Sequence, residues 1–516
     1  HLYLNFCPTR RSSDLNGTPM TTNFVNATQI STQIPASDIT TPGGAAVSVT
    51  DPTYGVSNTQ TFTINLPPLA LNTVSPISVT VGGPGFTLTA LGTSFTGTST
   101  IEWNGTALTT TLISSTELLA QVPANDISAT GTASVIVSDP NSPPGTTGAQ
   151  TVTIAKPSID AVAFQMNPMH TGAVNFSSVS FPSSPTWSVN LGGWPSYALI
   201  VDGKVIVTVV LSQGRNASSE VVALDQATGS TVWGPIAIVG YANAAYDNGR
   251  VFVVSTPSPG APVLQAFDVA TGTLDWSTTL NMQSETAGAP TASDGIVYVN
   301  GAVNLEALDE SSGTPLWTYA FGGGYSTPAV TADGVYVSFP CFDYDVRPAT
   351  GELIWNYSEN CSGGSGAIPA IINQLDYAPD GVEGGNVLNA ETGTFVGQFA
   401  ASSPSAFTPS MGYFLQYSTL RGVTLANNTI QWSFSGDGQL AGAPIAVNQY
   451  VFIGSSSGNL YALDGTNGTQ VWNVNLGAEI GASYNFIPYS GLAAGDGLLV
   501  VPSGTTVTAY VLSTNP

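Results

Sequence analysis

Apolar and polar residues alternate in short runs along the chain, and Gly, Pro, Asn and Asp break the runs at short intervals. Ser78-Val79-Thr80-Val81, Phe86-Thr87-Leu88-Thr89-Ala90, Thr100-Ile101-Glu102-Trp103, Leu118 to Val122, Ala133 to Val137 and Thr151 to Ile154 predict strands, with Gly82-Gly83, Asn104-Gly105 and Asp139-Pro140 as turns between them. Further on, Lys204 to Leu211, Val251-Phe252-Val253-Val254, Ile296-Val297-Tyr298-Val299 and Tyr450-Val451-Phe452-Ile453 are strand-length and rich in β-branched and aromatic residues. The pattern predicts an all-β chain.

Two repeats organise it. A shift of 88 residues aligns Asn16-Gly17-Thr18 with Asn104-Gly105-Thr106, and gives 17 identities in the 37 positions from 16 to 52. The match stops upstream of Asn16, where Pro8-Thr9-Arg10-Arg11-Ser12-Ser13-Asp14-Leu15 resembles the translated read-through of a sequencing-library adapter. Residues 1–15 are therefore expected to be non-native. Residues 16–66 are then the C-terminal half of a module whose complete copy is 67–156, with an export signal missing upstream. Half a sandwich leaves one sheet unpaired, so 16–66 is expected to be loosely held.

The second period is near 40 residues. An apolar strand ends at Asp, Gly follows, then Trp: Asp225-Gly229-Trp233, Asp268-Gly272-Trp276, Asp309-Gly313-Trp317, Asp345-Gly351-Trp355 (with two extra turn residues) and Asp464-Gly468-Trp472. Asn389 and Gly393 precede Gly397 in place of Trp, and Thr424 and Asn428 precede Trp432. The Asp carboxylate is expected to accept bonds from the turn's backbone N–H groups. Gly supplies the positive φ that reverses the chain, with Asn428 its best substitute. Trp buries its face against a neighbouring unit. Four strands per unit describe a propeller blade. Trp187 has no such turn before it, and Thr508-Ala509-Tyr510-Val511 has no Gly or Trp after it. Joined, they complete an eighth blade and close the ring.

Gly92-Thr93-Ser94-Phe95, Trp103-Asn104-Gly105 and Val122-Pro123-Ala124 resemble the IPT/TIG family of immunoglobulin-like modules, which implies a β-sandwich for 67–156. The Asp-Gly-Trp units resemble the PQQ-like (quinoprotein-type) repeat family, which implies an eight-bladed β-propeller over 187–516. Residues 157–186, containing Phe164 to Gly172, are similar to the lead-in of many bacterial members.

Charge narrows the function. With 8 Lys+Arg against 32 Asp+Glu the net charge is -24, which excludes nucleic acid and anionic membrane surfaces as partners. No stretch is long and apolar enough for a spanning helix. The PQQ-like resemblance implies a quinone with Ca²⁺. An acidic ring whose cations are Lys204, Arg215, Arg250, Arg347 and Arg421 is a poor host for a trianionic ligand. Apart from His1 the single histidine is His170, so multi-histidine zinc sites are excluded. Cys341 and Cys361 flank two strands of one blade and can form a disulfide or remain thiols. No catalytic, cofactor-binding or metal residue is assigned. The expectation is a monomeric, non-catalytic, exported or cell-surface protein that binds a protein or a glycan. The alternative is a PQQ- and calcium-dependent dehydrogenase of alcohols or sugars.

Overall fold

The computed structural model describes residues 12–26, 28–65, 67–81, 83–129, 131–141, 145–155, 159–282, 287–321, 324–359, 367–379, 384–481 and 490–514. They belong to two compact units, 1–157 and 158–516.

In the first unit, residues from Ala70 onward fold as a sandwich of two sheets. One sheet runs in the order Thr110–Ser114, Glu117–Val122, Phe86–Thr93, Ala70–Ser75. The other runs Thr106–Ala107, Thr100–Trp103, Gly131–Ser138, Gln150–Ala155, Ser78–Thr80. Alternation turns Leu118, Ala120 and Val122 inward, where they pack with Leu88, Ile101, Trp103, Val135 and Val152. Each fully buried aliphatic side chain of this kind contributes about 1.5–3 kcal/mol. The upstream copy repeats one sheet. Ser12–Leu15 pairs with the following long strand, Leu15 opposite Val47, as Thr100–Trp103 places Trp103 opposite Val135. The adapter-like residues 12–15 thus occupy the place of a strand; the rest of that string, and Cys7, lie outside the described residues. Among the described residues the other sheet is the hairpin Thr22–Asn26/Gln29–Thr32, and Phe24, Tyr54, Val56 and Phe62 remain exposed.

The second unit is a β-propeller; among the described residues it has eight sheets, antiparallel but for Ala173–Val174, which adds in parallel beside Leu440–Val447. In chain order the blades are 194–239, 241–279, 291–320, 329–358, 370–399, 406–434 and 440–475. The eighth is 493–511 joined by Trp187–Asn190. Trp187 lies opposite Ala509, so one sheet is made from both ends of the unit. Apolar layers fill the spaces between blades; Phe252, Leu264 and Ala266 of the second, for example, meet Ala292, Val297 and Leu308 of the third.

Candidate functional site

The repeat residues are consumed by structure. Asp225 Oδ1 accepts the Thr228 backbone N–H at 2.8 Å and its hydroxyl at 2.7 Å. Asp268 does the same with Thr271, Asp309 with Ser312, Asn389 with Thr392 and Asp464 with Thr466. Side-chain hydrogen bonds hold Asp225, Asp268, Asp309 and Asp464 below the usual carboxylate range. Each indole N–H then crosses to the next turn. Trp187 donates to Gln226 O, Trp233 to Val269 O, Trp276 to Glu310 O, Trp317 to Pro348 O, Trp355 to Ala390 O and Trp432 to Gly465 O, all at 2.8–2.9 Å. Trp472, with no turn ahead of it, donates to Pro182 O at 3.0 Å and stacks on Phe181. A Cβ on Gly229, Gly272, Gly313, Gly351, Gly393 or Gly468 would come within 2.4–2.8 Å of the indole seated against it.

Asp345 is a correction. In the fourth blade Gly351 N–H bonds Arg347 O, the bond that Gly229 makes to Asp225 O. Arg347 therefore holds the turn position, and the turn has no extra residues. Asp345 lies opposite Trp355, where Ala223, Ala266, Ala307 and Ala462 stand opposite their tryptophans. It is buried rather than a turn cap.

That shift exposes a cluster that sequence reasoning missed. Asp343 and Asp345 share a face of the strand Phe342–Val346, the face of Trp355, which turns toward the fifth blade. Asp376 lies opposite Leu388, at the position held by Val205, Val251, Val297 and Val451 in other blades. Among the described residues, Asp345 Oδ1, both Asp376 carboxyl oxygens, Asn386 Oδ1 and Ser338 Oγ are buried with no hydrogen-bond partner. Burial, opposed by a backbone hydrogen bond from Val335 and by Arg347, pushes Asp345 up to about 8. Burial, then the charges of Asp343 and Asp345, push Asp376 well above the carboxylate range. Elsewhere in the propeller Glu310 reaches about 7 through burial and the neighbouring Asp247.

The lead-in crosses the inner ends of the sheets. Its carbonyls accept backbone N–H bonds from Asp496, Ile200, Tyr246, Val330, Ile371, Phe407 and Ala446, so it is tied to seven blades. His170 Nδ1 lies 3.0 Å from Pro369 O, and burial lowers its pKa to about 4 despite that bond, so the ring is neutral. The residues do not fit a quinone with Ca²⁺. Arg250 is taken by Asp275 at 3.0 Å, Arg347 lies on a turn 3.4 Å from Glu352, and Arg421 bonds Gln416. Among the described residues no three His, Cys, Asp or Glu side chains form a metal-binding group. Cys341 is disulfide-bonded; Cys361 lies outside the described residues.

A family model described as outer membrane protein assembly factor BamB matches residues 217–379 and 383–514, and the IPT/TIG domain matches 69–155. A tetrathionate hydrolase of Acidithiobacillus ferrooxidans is 25% identical over 266 residues, 48% of this chain and 50% of that protein; the chain thus spans about half the length of this curated relative. Two solved structures share the propeller fold. BamB from Moraxella catarrhalis has 16% identity and a TM-score of 0.50, covering 64% of this chain and 99% of that one. Quinohemoprotein alcohol dehydrogenase from Comamonas testosteroni has 14% identity and a TM-score of 0.53, covering 69% and 82%.

Proposed function

The chain belongs to the PQQ-like repeat family described as outer membrane protein assembly factor BamB, and from that premise we propose a non-catalytic binding or scaffold protein, exported or at the cell surface. The observation that carries this reading is the employment of the repeat Asp, Gly and Trp residues, and of the lead-in, as internal structure. The first blade supports a place for a partner. Its strands Lys204–Ser212 and Thr231–Val239 have 9 residues each, against 5 and 6 for Ile296–Asn300 and Pro315–Ala320 of the third. At their far end Trp194, Leu211 and Val239 are 40%, 45% and 72% exposed, near Arg215 in the intervening loop. Tryptophan and arginine are enriched among residues that dominate binding energy. A protein or a glycan is the expected partner, and among the described residues no helix is long and apolar enough to cross a membrane.

Binding of the full chain to purified envelope glycans and to an outer-membrane barrel protein tests the reading. Saturable binding to one of them is expected, weakened roughly tenfold or more by Trp194→Ala with unchanged thermal melting. A second reading, hydrolysis of tetrathionate, is favoured by the relative above. Turnover of tetrathionate, or of alcohols or sugars with PQQ, Ca²⁺ and a dye, would overturn the non-catalytic proposal.

A further inference from the structure

Three acids stand at one interface where the other blades carry apolar residues. Asp343 and Asp345 replace the Leu264 and Ala266, or Leu305 and Ala307, of other third strands, and Asp376 replaces a valine of the facing second strand. Asn386, on the same face of the fifth blade as Asp376, adds a further polar side chain to this layer. We propose that the Asp345/Asp376 cluster is a proton-filled latch, joining the fourth and fifth blades while its carboxyls are protonated and releasing that joint when they ionise.

The donor–acceptor inventory leads there. Asp345 Oδ1, Asp376 Oδ1 and Oδ2 and Asn386 Oδ1 are acceptors, and the hydroxyl of Ser338 is the one donor among the unpartnered atoms of the cluster. A protonated carboxyl becomes a donor, so each bound proton supplies what the cluster lacks. Ionised, the same oxygens are buried like charges, which is costly without a partner. A cation would be the other remedy, but the acids do not converge into a metal-binding group. The groups facing the pair keep the balance negative. Tyr336 of the fourth blade feels both Asp345 and Asp376, and Asp333 in the adjoining turn adds to the charge on Asp345. Asp343 acts on Asp376. Arg347 opposes these on Asp345, and Asn386 is the neutral neighbour from the fifth blade.

The sign follows from linkage. A carboxyl raised in the folded state gives stability that is complete below its unfolded pKa and is lost as pH rises through its folded pKa. The test is thermal unfolding and amide hydrogen exchange of the full chain from pH 4.5 to 9, for wild type, Asp376→Asn and Asp376→Val. Wild type is expected to lose stability as pH rises, and removal of one such carboxyl to flatten the rise in the unfolding constant by about tenfold per pH unit. Exchange within Phe342–Val346 and Leu375–Pro379, corrected for its intrinsic pH dependence, should accelerate more steeply with pH in wild type than in Asp376→Asn, where Asp345 is the carboxyl of the pair that still ionises, while Arg250–Thr256 of the second blade changes equally in both. Asp376→Val keeps the test intact if the Asn variant does not fold. Parallel pH profiles for wild type and variants would overturn the latch. So would protection of wild type by Ca²⁺ or Mg²⁺ at pH 8 that Asp376→Asn lacks, since the cluster would then hold a cation.

Discussion

A Cβ placed on Gly272 would sit 2.7 Å from the Trp233 ring, and φ at that glycine is +71°. Gly249 has φ +81° with nothing within 4 Å of its Cβ position. The pair separates two costs that coincide at the repeat glycine. Gly249→Ala carries the left-handed backbone term alone, roughly 1–2 kcal/mol. Gly272→Ala adds displacement of a packed indole, for a total of about 2–4 kcal/mol. Denaturant unfolding of the two variants measures the difference, and equal losses would show that the indole yields freely. The conformational reason for these glycines was legible in the Asp-Gly-Trp spacing. The steric reason was not, because the indole that needs the space belongs to the preceding blade.

The fifth and sixth blades show the same coupling between elements. Gly397 stands where Trp is expected, and in its absence the next turn tolerates Asn428, at φ 52°, whose amide donates to Gln398 O at 3.2 Å. Opposite Gly397 the ladder holds Val387 rather than Ala. Three departures that look like divergence along the sequence are one substitution, a missing key and its refilled socket. Gly397→Trp alone is therefore expected to destabilise the propeller, and Asn428→Gly with Val387→Ala to recover a coupling energy of about 1–3 kcal/mol; additive effects in a mutant cycle would refute the linkage. Strands and turns of this length were readable from alternation and punctuation, since each depends on neighbouring residues. The fourth unit misled because its aspartate lay near the expected place. The turn is set by the bond from Gly351 to Arg347 O, which shows that spacing from the glycine outranks residue identity. The acid cluster stayed hidden for the same reason, as its members are assigned to facing positions only after that register is corrected.

At the scale of the whole molecule, ring closure was readable because both ends of the repeat were incomplete in complementary ways, and Trp187 meets Ala509 accordingly. Protonation was not readable, because it depends on which acids are buried and on what surrounds them, and the propeller combines raised acids with turn aspartates held low. In the immunoglobulin-like module burial alone would raise Asp139, but bonds from Ser99, Thr96, Asn141 N–H and Thr98 outweigh it and hold the group at about 2. That carboxylate supports the module above the ordinary aspartate range near 4 and is lost as pH falls toward 2. In the propeller Asp345 at about 8 and Glu310 at about 7 contribute fully below pH 4 and are lost as pH rises through 7 and 8. The net charge of -24 adds self-repulsion in the same direction as the carboxylates ionise. Calorimetry of the full chain is expected to show the propeller transition rising in temperature from pH 8 to pH 5, and the module transition falling from pH 4 to pH 2. A propeller transition that instead climbs between pH 5 and pH 8 would mean that its buried acids are ionised and paired in solution, against the environment the fold gives them.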